Sequence, residues 1–188
     1  MAVLAGLGAW AFWPSGEPAV AVPDRVCGGA LPGGPVRDLL PERGQGFEED
    51  LSGSSSRNSV STVWKCRLSA GGQSVYLTYS PILSPDDYGS EDIVRDAGKP
   101  GNVPLSWGTD RGFVEGDKVS LYVACDGSEG REILLDVSTS VNGADGELKD
   151  RATQDKAVAL TARTARFVSA RVDFCEPPSL PDGSPKIG

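Results

Sequence analysis

Four cysteines, Cys27, Cys66, Cys125 and Cys175, stand far apart in a chain of 188 residues that contains no histidine. No pair has the C-x-x-C spacing of a metal knuckle. Without histidine a mixed Cys/His zinc site is excluded, and an all-cysteine site has no close pair to start from. An even number of well-separated cysteines fits two disulfides, and disulfides persist in oxidising compartments. The competing reading is four reduced, buried thiols acting as small apolar side chains. If they are crosslinked, the chain must bring segments roughly 40–50 residues apart into contact, which few loose arrangements allow.

The length suits one domain with a real core. Twenty-four glycines and 14 prolines favour many turns, hence short strands over long helical runs. The net charge is −8, and the 18 basic residues are scattered among 26 acidic ones. Nucleic-acid binding needs a clustered basic face, which this pattern does not supply. Anionic lipid finds no basic patch either. An acidic charge that keeps an exported domain soluble is the ordinary reading.

Alternation locates the strands. Val60, Trp64, Cys66 and Leu68 alternate with Ser61, Lys65 and Arg67, the period of a strand with one buried face. Gly71-Gly72 turns the chain into a second strand, Val75–Ser80. Val119, Leu121, Val123 and Cys125 define another strand face, and Ile133, Leu135, Val137, Thr139 and Val141 its hairpin partner. A shorter hairpin is expected from Val103–Trp107 and Phe113–Val114 around the turn Gly108–Gly112. Helices are expected at Val36–Leu40, opened by Pro35, in one turn around Glu91–Ala97, and over Ala152–Phe174, which lacks glycine and proline. In the last, Ala157, Leu160, Thr164, Ala165, Val168, Val172 and Cys175 fall on one face.

Packing that face on the sheet would bring Cys175 near Cys125, so the expected pairs are Cys125–Cys175 and Cys27–Cys66; the other connectivities stay open. The expected fold class is α+β, an antiparallel sheet with a long C-terminal helix packed on one face. Its domain spans residues 25–176, with a flexible tail over 177–188 and an apolar stub plus linker over 1–24.

The stub, Ala2–Trp13, would be about 18 Å long as a helix, against roughly 30 Å of hydrocarbon. It carries no basic residue ahead of the apolar run, although Ala19-Val20-Ala21 resembles a signal cleavage site. The favoured reading is the outer end of a signal anchor whose start lies upstream, with Trp10, Phe12 and Trp13 at the membrane interface. A cleaved signal and an ordinary buried segment are the alternatives. The first two place residue 25 onward outside the cytoplasm.

"VCGGALPGGPVRDLL" before a short helix, a strand cysteine in "VWKCRLS", and a long Ala-rich helix ending in Cys and a Pro-rich tail form an ordered pattern. It resembles secreted or membrane-anchored actinobacterial proteins of unknown function, including cysteine-containing lipoproteins with a PsbP-like α+β fold. The resemblance covers about residues 25–180 and implies a fold and a compartment, with no reaction attached. Those lipoproteins carry a lipobox; here Cys27 follows Asp24-Arg25-Val26 and has none.

Chemistry has few candidates. Ser-His-Asp and Cys-His systems need histidine, no lysine follows a serine at S-x-x-K spacing, and no phosphate-binding fingerprint follows a strand. Two acidic clusters could offer oxygen ligands to Ca²⁺: Asp86, Asp87, Glu91 and Asp92, and Asn142, Asp145, Glu147 and Asp150. Neither matches the D-x-D-x-D-G loop, and solvated loop is the ordinary reading of both. Tyr76 and Tyr122 lie on the strand faces opposite the cysteines, where exposed aromatics with Trp107 could mark a ligand surface. The sequence thus points to a non-enzymatic, extracytoplasmic, membrane-tethered binding or structural module with a protein or cell-envelope ligand. It implies no cofactor, no metal and no catalytic residue. A carboxylate-dependent secreted hydrolase or a secreted inhibitor is the alternative.

Overall fold

A computed structural model describes residues 16–53, 63–82, 88–126, 132–143, 148, 150–172 and 180–188. The apolar stub, the Ser-rich stretch from Ser54, and the acidic residues Asp86, Asp87, Asp145 and Glu147 lie outside them, as does Cys175.

The fold is α+β, and its centre is one eight-stranded antiparallel sheet. Two meanders lie side by side in it. The first is β3 (Glu48–Ser52), β4 (Trp64–Ala70) and β5 (Gln73–Ile82). The second is β6 (Asn102–Trp107), β7 (Asp110–Glu115), β8 (Lys118–Asp126) and β9 (Glu132–Asn142). They join where β5 pairs with β9 from Ser74↔Asn142 to Ile82↔Leu134. The expected β4–β5 and β8–β9 hairpins both form, with Cys66 opposite Leu77 and Cys125 opposite Ile133. The β6–β7 turn is tighter than the five residues expected. Trp107 pairs directly with Asp110, so Gly108-Thr109 alone makes the turn and the strands run longer.

The inner face is apolar by alternation. Leu68, Val75, Leu77, Val119, Leu121, Val123, Leu135, Val137 and Val141 are essentially inaccessible. The helix α3 (Arg151–Ser169) packs there through Ala157, Leu160, Ala165 and Val168. It ends five residues before the expected Phe174, at a C-cap on Ala170 whose N–H donates to the Arg166 carbonyl. At 1.5 Å per residue its 19 residues cover about 28 Å, within the roughly 36 Å of the 11-residue strand β9.

Deep in this interface the hydroxyls of Thr161 and Thr139 are 2.8 Å apart, and Thr161 Oγ1 lies 2.8 Å from the Ala157 carbonyl. A carbonyl only accepts, so Thr161 donates to Ala157 and accepts the proton of Thr139. Two buried hydroxyls are satisfied by this relay.

Beside α3 the N-terminal segment closes the same face. A small hairpin, β1 (Arg25–Val26) and β2 (Leu31–Pro32), leads into the helical turn α1 (Gly34–Arg37), shorter and earlier than the expected Val36–Leu40. Residues 16–24, within the stretch expected to form a linker, join the fold instead. Ala19 bridges Arg43, Val20 N–H donates to Glu42, and Val22 is buried in the core. Cys27 is disulfide-bonded to Cys66, as expected. Cys125 is also disulfide-bonded; Cys175, the partner expected for it, lies outside the described residues.

The outer face is covered at one end by α2 (Ser90–Ala97), a full two turns rather than one. Ile93, Phe113, Tyr122 and Leu134 form a second, smaller core beneath it. The C-terminal stretch, expected to be a flexible tail, supplies β10 (Lys186–Ile187), which pairs with β6 and extends the sheet. Among the described residues no helix is long and apolar enough to cross a membrane.

Candidate functional site

The three aromatic residues expected to mark a ligand surface are not brought together. Trp107 lies on the inner face with 2% of its surface exposed, under the guanidinium of Arg166 at 4.6 Å. Tyr122 is on the outer face but buried by α2, its ring 5.5 Å from Tyr88 and 6.1 Å from Phe113. Burial first of all, then the nearby Asp136 carboxylate, pushes its phenol far above the ordinary range. Tyr76 is half-buried on the same outer face, with Arg67 5.7 Å from its ring centre. Strand alternation assigns each ring its face, but a covering helix from elsewhere in the chain decides exposure.

The acidic clusters resolve into local structure where they are described. Asp92 accepts a hydrogen bond from the Gly89 N–H at the start of α2 and pairs with Arg95. Asp150 is the N-cap of α3, accepting from the Thr153 N–H at 2.9 Å and from its hydroxyl at 2.7 Å. These hydrogen bonds hold both carboxyls below the usual range. Among the described residues no three or more of the metal-ligating types converge.

Two carboxyls are shifted the other way. Burial raises Asp110, against a hydrogen bond from the Ala124 N–H and the Arg111 charge. Burial also raises Asp136, opposed by Lys118, and its Oδ1 is inaccessible and unpaired. The pairing register puts Asp110 on the inner face and Asp136 on the outer one. They are not a facing acid pair of the kind a glycosidase uses.

The feature with the geometry of a binding site is a cavity of about 560 Å³ at one end of the sheet. Five separate segments meet there. Gly101 and Val103 come from the start of β6, Val114 from β7, and Gly116 and Asp117 from the β7–β8 turn. Val141, Asn142 and Gly143 close β9, and Leu148 and Gln154 belong to the entry and second turn of α3. The strand residues Val103, Val114 and Val141 point to the inner face, and with Leu148 they make an apolar floor. The rim is glycine backbone and amides. Gly116 has φ +57°, a conformation that L side chains adopt at a cost, which lets a two-residue turn close Glu115 onto Lys118. Gly143 has φ +147°, and a Cβ there would sit 2.9 Å from Gln73 Cα, so only glycine lets β9 leave the sheet beside the β4–β5 turn.

The polar groups of the rim are held in definite roles. The Asp117 carbonyl accepts the Val141 N–H at 3.0 Å, fixing the turn, while its carboxylate takes no partner among the described residues. Gln154 Nε2 donates to the Leu148 carbonyl at 2.8 Å. Because a carbonyl cannot donate, this sets the amide orientation and leaves Gln154 Oε1 as an acceptor. Sequence reasoning missed this site. Its lining comes from turns and strand ends with no common motif, and only the folded register assembles them. Asn142 alone had been singled out, as part of an acidic cluster.

No protein-family model, no curated protein and no solved structure matches the chain.

Proposed function

We propose that the chain is an extracytoplasmic, membrane-tethered binding module rather than an enzyme, and that its ligand sits in the cavity between the sheet end and the start of α3. The carrying observation is the cavity itself. Its volume falls in the range of small-molecule sites, with an apolar floor and a few polar groups whose hydrogen-bonding capacity is unused. The compartment is supported by the crosslinks at Cys27–Cys66 and at Cys125. The acidic net charge, the apolar run at Ala2–Trp13 and the resemblance of the element order to that of secreted actinobacterial proteins support it too.

Two measurements test the reading. Protease shaving of native cells producing the chain with a C-terminal tag should degrade it, and peptides mapped without reductant should be crosslinked. A protected cytosolic product with free thiols would sink the compartment. For the binding role, chemical-shift mapping with small amphipathic probes should move the cavity amides; probes that shift only other surfaces would sink the site.

A further inference from the structure

The hydrogen-bonding inventory of the cavity has a sign. Of the described residues that line it, Asp117 is charged and none is basic. Gln154 presents its oxygen and one N–H, the other N–H being committed to the Leu148 carbonyl. The N-terminus of α3 adds little for an anion. The Thr153 N–H is taken by the Asp150 carboxylate and the Gln154 N–H by the Asp150 carbonyl. Of the helix's cations, Arg151 pairs with Asp155 and donates to the Ile187 carbonyl, and Lys156 donates to the Asp38 carbonyl. An entering ligand therefore meets two acceptors, one of them a carboxylate with no partner among the described residues, above an apolar floor. The second N–H of Gln154 and the Asn142 amide can also donate.

We propose that the cavity takes a small amphipathic cation, with a compact apolar body against Val103, Val114, Val141 and Leu148 and an ammonium-type head between Asp117 and Gln154. This rests on the cavity being the ligand site, and deepens that reading by naming the ligand class. A carboxylate head on the same body would face Asp117 with like charge and leave Gln154 Oε1 without a donor, so it is selected against.

The test uses three probes with one apolar body: 3-methylbutylammonium, 3-methylbutan-1-ol and 3-methylbutanoate. Each is titrated into the full, oxidised chain while the amide signals of Gly101, Gly116, Val141 and Gly143 are followed. The ammonium should bind best, roughly tenfold tighter than the carboxylate, the scale of one charge-assisted hydrogen bond. Asp117→Asn should abolish the preference and Asp117→Glu should keep it. The Asp117 side chain has no partner among the described residues, so both variants should retain the native amide spectrum; Asp117→Ser serves if either does not. A carboxylate that binds as tightly as the ammonium, or a preference that survives Asp117→Asn, overturns the head-group assignment but leaves the cavity as a site. If none of the three probes moves these amides, the cavity is not the ligand site and both readings fall.

Discussion

The guanidinium of Arg166 lies 4.6 Å from the centre of the buried Trp107 ring and donates to the carbonyls of Pro181 and Gly183. One side chain on α3 thus joins the helix, the strand β6 beside β10, and the C-terminal segment. Pro181 completes the contact by packing on Gly108, where an added Cβ would meet its Cγ at 2.8 Å. Arg166→Met keeps the aliphatic stem and removes the charge and the donors. The expected loss is about 2 kcal/mol of stability. Hydrogen exchange at the Gly188 amide, which donates to Pro104, should accelerate more than exchange in β8 and β9. Uniform acceleration across the sheet would mean that the residue does not act locally.

Thr161→Val removes the hydroxyl that links α3 to the sheet and leaves the Thr139 hydroxyl buried without its partner. Urea titration should show a loss of about 1–3 kcal/mol. Replacing both threonines with valine should recover much of that loss, because no orphaned donor remains. A double variant as unstable as the sum of the singles would contradict the relay.

Asp136 predicts a pH dependence of definite sign. Its carboxyl is raised by burial, so the folded state holds the proton more tightly than the unfolded state. That contribution is fully present below the unfolded pKa of about 3.9 and is lost as pH rises through the folded value. Asp136→Asn should therefore match the parent in acid and exceed it near neutrality. Asp110 contributes with the same sign, whereas Asp92, Asp96 and Asp150, all held low, lose their contribution as pH falls. The variant-minus-parent difference in unfolding free energy isolates Asp136. A difference independent of pH would show that the group titrates normally.

Removing the Cys27–Cys66 crosslink by a double serine substitution opens a loop with a sequence separation of 39. The chain-entropy model puts the cost at about 4 kcal/mol. Thermal unfolding of the double variant, compared with the oxidised parent, measures it. A shift of only a degree or two would mean that the hairpin β1–β2 is held without the disulfide.

Gly116→Val forces a β-branched residue into φ +57°, at about 1–2 kcal/mol. It should also displace Asp117 and weaken ammonium binding. Gly116→Asn, a residue that tolerates this region, should do less on both counts.

Much of the sheet was legible because a strand with one buried face writes itself as alternation. Trp64, Cys66 and Leu68 on β4, and Val119 to Cys125 on β8, show it directly. What alternation cannot write is coverage. Tyr122 has the pattern of an exposed aromatic and is buried because Ile93 of α2 and Tyr88 just ahead of that helix pack across it. α3 ends at a C-cap on Ala170, although residues 170–174 are as free of glycine and proline as those before them. β10 is two residues long in a polar, Pro-rich stretch and becomes a strand because β6 offers it an unpaired edge. The cavity lining is drawn from five segments whose only shared property is that they end at the same level of the sheet.

The Cys27–Cys66 bond also decides how the molecule bears load. A pull on the chain ahead of residue 27 meets separate non-covalent attachments first: the Ala19–Arg43 bridge with the bonds from Val20 N–H to Glu42 and Gly44 N–H to Pro18, the buried Val22 with Arg37 on its carbonyl, and the Gly33 N–H on Asp24. These can peel away singly. At Cys27 the force then passes through a covalent link into β4, between β3 and β5. Traction from the N-terminal side is thus delivered to a strand paired on both sides in the first meander, while most of the strand residues lining the cavity belong to the second.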